Sequence, residues 1–253
     1  MAVRIKIIRS NKDQITGVYG TVQDITERKL MEIKMEQLIE KLEVSNRELE
    51  QFAYLSSHDL KEPLRMITSF LELLQRKYLD IMDDDANEFI NYAIQGAKRL
   101  DMMIDDLLEY SRIGKIRGEL KDTKVENIVK LVLLNLKPLI DDNNASITCD
   151  PLPTIYVNEQ DMVRLFQNLI SNSIKYRGQK NPNIHISATV VHDEYLFALK
   201  DNGIGIEQNN LKKIFTIFQR LHTQNEYEGT GIGLAISQKI VLQYGGKIWA
   251  ESE

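Results

Sequence analysis

Asn168-Leu169-Ile170-Ser171-Asn172-Ser173-Ile174-Lys175-Tyr176 decides how the second half of this chain folds. The i, i+3 and i+4 spacing places Asn168, Asn172, Lys175 and Tyr176 near one face of a helix. Asparagine suits a helix interior poorly unless something binds it. An amide oxygen is a hard ligand for Mg²⁺, and a lysine offers phosphate a point charge. Taken alone, the stretch is equally a solvated helix face.

Two glycine-rich segments follow it. Asp201-Asn202-Gly203-Ile204-Gly205-Ile206 comes directly after an alternating segment. An aspartate at a strand end with glycines behind it can accept a hydrogen bond from a base amino group while the chain passes close to the ligand. Glu228-Gly229-Thr230-Gly231-Ile232-Gly233-Leu234-Ala235 leads into a helix start, where exposed amides and the helix dipole favour phosphate. A simple turn explains either segment alone, and Gly245-Gly246 reads only as a turn. The order of the three is more specific. It fits neither the dinucleotide fingerprint nor the P-loop, since no Lys-Ser/Thr follows the glycines.

Around these motifs the pattern predicts helices near 125–143, 158–176 and 231–244, and strands near 145–149, 183–191, 195–201 and 246–251. Ile184, Ile186, Ala188 and Val190 alternate, as in a sheet with one face under helices. This half is expected to be an α/β sandwich. Cys149 reads as a small strand-facing hydrophobe, and His185, His192 and His222 as surface residues without metal-ligand spacing.

Upstream the period changes. Met31, Met35, Leu38, Leu42, Ser45, Leu49, Phe52 and Ser56 include a heptad seam from Met35, which slips through Leu60 and Leu64 and recovers at Ile67, Leu71, Leu74 and Tyr78. His58 sits inside that stutter, and Pro63 beyond it permits a kink. After the acidic turn at 80–85, a second helix carries Phe89, Ala93, Gly96, Leu100, Met103, Leu107 and Tyr110 at four-three spacing. Two narrow seams cannot enclose a core, so the helical hairpin is expected to dimerise into a four-helix bundle. Gly114 and Gly118 mark a joint after it. Before it, residues 1–26 read as one β-hairpin turning at Asn11-Lys12-Asp13, with Asp24 or Thr26 capping the first helix.

The 253 residues correspond to fewer than two domains of about 150 residues. With 43% hydrophobic and 27% charged residues, a chain-long disordered reading fails. A net charge of -5 argues against nucleic acid as a partner. The single cysteine fits a reducing compartment. No apolar stretch is long enough to span a bilayer and no signal peptide opens the chain, so a cytoplasmic location is expected.

The asparagine helix, Asp-x-Gly-x-Gly and Gly-Thr-Gly-x-Gly in this order closely resemble the catalytic ATP-binding half of sensor histidine kinases, within the class shared with gyrase, heat-shock chaperone and mismatch-repair ATPases. Phe52-Ala53-Tyr54-Leu55-Ser56-Ser57-His58-Asp59-Leu60-Lys61-Glu62-Pro63-Leu64-Arg65 resembles the phosphoacceptor box of those kinases, of the type found beside PAS and phytochrome-like sensors. Asp24-Ile25-Thr26-Glu27-Arg28 is similar to the end of a PAS domain. The resemblance implies a PAS remnant at 1–26, a coiled-coil linker at 27–51, a dimerisation and phosphoacceptor domain at 52–113, a hinge at 114–121 and a catalytic ATP-binding domain at 122–253 lacking its last strand.

By the same resemblance His58 is phosphorylated from ATP, and Asp59 is the base that orients or deprotonates its imidazole. Glu62, at i+4 from His58, is a second candidate by spacing. The resemblance further implies that Asn172 holds Mg²⁺ with Asn168 in support, and that Lys175 and Tyr176 lie against phosphate and nucleotide. Asp201 reads the adenine amino group in a pocket shaped by Gly203 and Gly205. Residues 206–230 form an ATP lid in which Arg220 meets the γ-phosphate, and Gly229, Thr230, Gly231, Gly233 and Leu234 close over the phosphates. The implied partners are a second copy of the chain and a response-regulator receiver domain in trans.

Glu62 stands where many relatives carry Thr or Asn, a position linked to dephosphorylating the partner, which argues against phosphatase activity. An ATP-hydrolysing machine of the same class would share the glycine and asparagine motifs without needing His58. A non-catalytic dimeric module would keep the seams and lose Asn172, Asp201 and the glycines, all of which are present.

Overall fold

The computed structural model describes residues 2–9, 15–78, 81–113, 119–221 and 229–252. The chain divides into two units, Met1–Phe52 and Ala53–Glu253. The turn expected at 11–13, the joint glycines Gly114 and Gly118, and His222 lie outside the described residues.

In the first unit, β1 (Ala2–Arg9) pairs antiparallel with β2 (Ile15–Gln23), from Ala2 opposite Gln23 to a register shift at Ile8/Arg9. Helix α1 (Thr26–Tyr78) begins where the Asp24 carboxylate accepts both the Thr26 amide and its hydroxyl, at 2.9 and 2.6 Å. Those hydrogen bonds from Thr26 hold the Asp24 carboxyl below the ordinary range. Leu30, Met31, Met35, Leu38 and Leu42 are all exposed in the single chain.

The second unit starts with the remainder of α1, which runs on through Pro63 although that residue cannot supply the helical hydrogen bond at its turn. Asp83 caps α2 (Asp84–Arg112) by accepting the Ala86 amide at 2.8 Å. Ion pairs of Lys61 with Asp105 and of Lys98 with Glu72, and a 2.8 Å hydrogen bond from Gln75 to Asn91, join the two helices. The buried α2 residues are Ile94 and Ala97, whereas Phe89, Ala93 and Leu100 of the expected seam remain exposed. The seam therefore does not close the hairpin on itself.

Beyond it lies an α/β sandwich. β4 (Ser146–Cys149) runs parallel to β6 (Asn183–Val191), which pairs antiparallel with β7 (Glu194–Lys200) in the order β4-β6-β7. Helices α3 (Val125–Asn135), α5 (Glu159–Lys175) and α6 (Gly233–Gln243) pack on it through Ile128, Ile170, Ile174, Ile236 and Ile240, against Ile184 and Ile186 of β6. Among the described residues no helix is long and apolar enough to cross a membrane.

Three expectations need correction, and one sheet was not expected. The helix expected over 125–143 breaks at Leu136 into α3 and α4 (Lys137–Asp142), because Pro138 lacks the amide that would continue α3. A second, two-stranded sheet of β3 (Lys121–Lys124) and β5 (Thr154–Val157) is built on backbone pairing that the charged sequence Lys121-Asp122-Thr123-Lys124 does not advertise. Residues 246–251 form no strand: Ile248 packs on the core, and Ser252 accepts from the Ile206 amide at 2.9 Å and from Gln208 at 3.0 Å without a ladder. Cys149 is exposed, because the outward-facing side of β4 is not covered.

Candidate functional site

The centre of the site is the C-terminal half of α5. Its buried face, Phe166, Ile170 and Ile174, fixes the helix on the core. The neighbouring face therefore turns Asn168, Asn172 and Lys175 toward the two glycine segments. Asn168 Nδ2 donates to the Gly233 carbonyl at 3.1 Å, and Ser237 Oγ donates to the same oxygen at 3.0 Å. A side chain on Gly233 would stand 3.6 Å from the Asn168 amide. Asn168 thus ties α5 to the start of α6.

Lys175 Nζ donates to Tyr176 Oη at 3.0 Å and lies 4.4 Å from the centre of that ring. A Cβ on Gly229 would come within 2.7 Å of the same ammonium, and Gly229 adopts φ +141°. The lysine and the glycine-rich turn therefore share one cradle. Gly231, at φ +78°, sits against Arg220 and Gln219, and its carbonyl accepts the Phe218 amide at 3.0 Å. Thr230 is buried, and its hydroxyl donates to Asp106 of α2.

Asp201 follows β7 and lies beside α5. Its Oδ1 accepts the Gly203 amide at 2.9 Å, and its Oδ2 accepts the Ser173 hydroxyl at 2.7 Å. The Ile204 amide donates to the Tyr176 carbonyl at 3.0 Å, and a Cβ on Gly203 would meet that carbonyl oxygen at 2.6 Å. Asn202 binds the start of β6, accepting the Asn183 amide at 2.7 Å and donating to the Asn181 carbonyl at 3.0 Å. Gly205 turns the chain at φ +74°.

The structure thus brings together Asn168, Asn172, Lys175, Tyr176, Asp201, Gly203, Gly229, Gly231 and Gly233, with Leu234 in the first turn of α6. Of the lid expected over 206–230, residues 222–228 lie outside the described residues, and short 3₁₀ turns occupy Gln208–Asn210 and Lys213–Phe215. His58 lies on α1 with its side chain outside the description; Asp59 and Glu62 are exposed on the same helix.

Several residues not expected from the sequence also contribute. Ser173 holds Asp201. Asp106 receives the Thr230 hydroxyl and pairs with Arg164 at 3.5 Å, while Glu109 pairs with the same guanidinium. Lys239 donates to the Tyr110 carbonyl at 2.5 Å and sits 4.3 Å from that ring's centre. Burial pushes the Glu109 carboxyl up, Arg164 opposes the shift and Asp106 adds to it. Tyr244 Oη donates to Asp161 at 2.6 Å and accepts the Asn158 amide at 3.1 Å; burial first, then the bond to Asp161, pushes its phenol up to about 12.

The donor set suits a hard cation beside a polyphosphate. The half-buried Asn172 amide makes no side-chain hydrogen bond among the described residues, one helical turn from Lys175. A neutral oxygen donor next to a lysine and glycine-rich amides matches Mg²⁺ carried on phosphate rather than a metal held by protein carboxylates.

Residues 157–253 match the family model described as histidine kinase-, DNA gyrase B-, and HSP90-like ATPase, and residues 48–116 match the His Kinase A (phospho-acceptor) domain. Cyanobacterial phytochrome A of Nostoc sp. is 46% identical over 220 residues, 87% of this chain and 29% of that protein. Phytochrome-like protein Cph1 of Synechocystis sp. is 42% identical over 219 residues, with the same coverage of 87% and 29%. The chain spans 29% of the length of each of these curated relatives. Among solved structures, full-length ShkA in complex with AMPPNP aligns with a TM-score of 0.59 at 21% identity, over 80% of this chain and 43% of that one. ThkA in complex with the response regulator TrrA aligns at 0.56 and 23% identity, over 99% and 71%. Both share the fold.

Proposed function

We propose that this chain, which belongs to the sensor histidine kinases, transfers the γ-phosphoryl group of Mg-ATP to His58 and passes it to an aspartate of a separate response-regulator receiver domain. The observation that carries the reading is the cradle in which the Lys175 ammonium lies against Gly229, on the helix that carries Asn172 one turn earlier and holds Asp201 through Ser173, in a chain that also bears the His58 box.

The chemistry follows from these residues. Asp201 accepts the adenine amino group, and Tyr176 with Lys175 borders the nucleotide. Asn172, with Asn168 behind it, would hold Mg²⁺, which would neutralise charge on the phosphates. The Gly229, Thr230, Gly231 and Gly233 turn and the dipole of α6 receive the phosphate oxygens, Leu234 closes that turn, and Arg220 approaches the γ-phosphate. One imidazole nitrogen of His58 forms the N–P bond as the bond between the γ-phosphorus and the β,γ-bridging oxygen breaks, and ADP leaves. The proton on the other ring nitrogen passes to Asp59, with Glu62 assisting.

The exposed Met35, Leu38, Leu42, Phe89 and Leu100 support dimerisation to a four-helix bundle. The reading divides the chain into 1–26, 27–51, 52–113, 114–121 and 122–253 with the roles given above, in a cytoplasmic setting.

The test is incubation with γ-labelled ATP and Mg²⁺, comparing the wild-type chain with His58→Gln. Acid-labile label that is absent from the variant is expected. Phosphate release without labelled protein would instead assign the chain to ATP hydrolysis.

A further inference from the structure

The hydroxyl of Ser173 interrupts an otherwise apolar helix face. Its neighbours on that face, Ile170 and Ile174, are completely buried, and Ser173 is only 7% exposed. A hydroxyl placed there needs a partner, because burying it unbonded is unfavourable. Serines inside helices usually donate back to the carbonyl four residues earlier. Here the hydroxyl instead crosses 2.7 Å to Asp201 Oδ2, a residue 28 positions away.

Asp201 itself is exposed and follows the end of β7, so its carboxylate would otherwise rotate freely. Two donors from different elements fix it: the Gly203 amide on Oδ1 at 2.9 Å and Ser173 on Oδ2. Each oxygen keeps acceptor capacity after taking one hydrogen bond. A carboxylate held at both ends presents that capacity in one direction, which selects a ring bearing an exocyclic amino donor and repels one bearing a carbonyl there.

We propose that Ser173 is a positioning residue for nucleobase selection: it locks the Asp201 carboxylate so that the site prefers a 6-aminopurine nucleotide. The role rests on the ATP reading of the site, which Asp201 serves directly and Ser173 serves through it.

The experiment measures Kd for ATP and for purine riboside triphosphate, which lacks the 6-amino group, with wild-type chain, Ser173→Ala, Asp201→Asn and the double variant. Alanine favours a helix, and the thermal midpoint of each variant checks the fold. Ser173→Ala is expected to weaken ATP about tenfold, as for loss of one hydrogen bond to a charged group, and to leave purine riboside triphosphate nearly unchanged. In the Asp201→Asn background, Ser173→Ala is expected to change the ratio of the two affinities no further. In autophosphorylation the KM for ATP should rise while kcat stays constant, and Ser173→Thr, which keeps the hydroxyl, should restore discrimination. Equal weakening of both nucleotides by Ser173→Ala, or no weakening, overturns the proposal while leaving the ATP reading of the site intact. A wild-type chain that binds neither nucleotide overturns the ATP reading and Ser173's role with it.

Discussion

Gly203→Ala tests the geometry of the nucleotide site with the smallest possible change. The added Cβ would lie 2.6 Å from the Tyr176 carbonyl oxygen and 3.0 Å from Asp201 Oδ1. The first obstacle is backbone at the end of α5, which cannot swing aside as a side chain would. Reaching ordinary contact requires the loop to move by about 0.8 Å, which breaks the 3.0 Å hydrogen bond from the Ile204 amide to that same carbonyl. Overpacking of this kind costs about 1–3 kcal/mol, and the lost hydrogen bond about 1 kcal/mol more. The loop also carries the Gly203 amide that holds Asp201, so the strain falls on the base-binding carboxylate. At about 1.4 kcal/mol per tenfold, ATP affinity should fall by roughly 30- to 700-fold. Calorimetric titration with Mg-ATP, alongside thermal unfolding without nucleotide, measures both parts. ATP affinity within threefold of wild type, with an unchanged midpoint, would refute the close approach of this loop to α5.

Three further outcomes are expected. Tyr244→Phe removes the bridge between the Asn158 amide and Asp161 and should destabilise the domain by about 1 kcal/mol at neutral pH. Because the folded state raises the Tyr244 phenol from 10.0 to about 12, its contribution is complete below pH 10 and is lost as pH climbs toward 12; alkaline denaturant titrations of the variant should lack that decline. Arg164→Ala should destabilise the contact between α2 and the sandwich by about 1 kcal/mol at pH 7, discounted for the partial exposure of both partners. Burial already raises the Glu109 carboxyl, and a raised carboxyl favours the protonated folded state, so the deficit should shrink as pH falls and Glu109 protonates; a pH-independent deficit in urea unfolding would contradict this. Cys149 is exposed, yet partial burial and then Asp150 and Glu126 raise its thiol, so iodoacetamide at pH 7.5 should label it more slowly than a free cysteine peptide.

What the sequence made legible follows from which interactions are local. The α5 motif was readable because Asn168, Asn172 and Lys175 share a face through helical spacing alone, and the helix appears at Glu159–Lys175. Gly203 was readable as a close-approach position and Gly229 as part of a phosphate-binding turn, although what crowds each of them, the Tyr176 carbonyl and the Lys175 ammonium, is tertiary. Pro138 is visible in the sequence and breaks a continuous apolar run, because a missing amide outranks side-chain periodicity. The strand at Lys121–Lys124 carries its information in backbone pairing with Thr154–Val157 across 29 intervening positions, which the charged residues of its own sequence do not record.

Ser173 and Asp106 mark a different boundary. Ser173 lies inside the decisive stretch without standing out, because a serine beside an asparagine looks like one more polar residue until its partner Asp201 is placed across the fold. One sign was available: helical spacing puts Ser173 beside Ile170 and Ile174 on the apolar face, where a hydroxyl is unfavourable without a partner. Asp106 offered no such sign. It sits among Asp101, Asp105 and Glu109 on an acidic helix, and only docking of α2 on the sandwich separates it from them by giving it the Thr230 hydroxyl and Arg164. A buried polar residue on an apolar stripe can therefore be found from periodicity, whereas a charged residue that becomes special through docking cannot, because its distinguishing energy exists only after two separately specified surfaces meet.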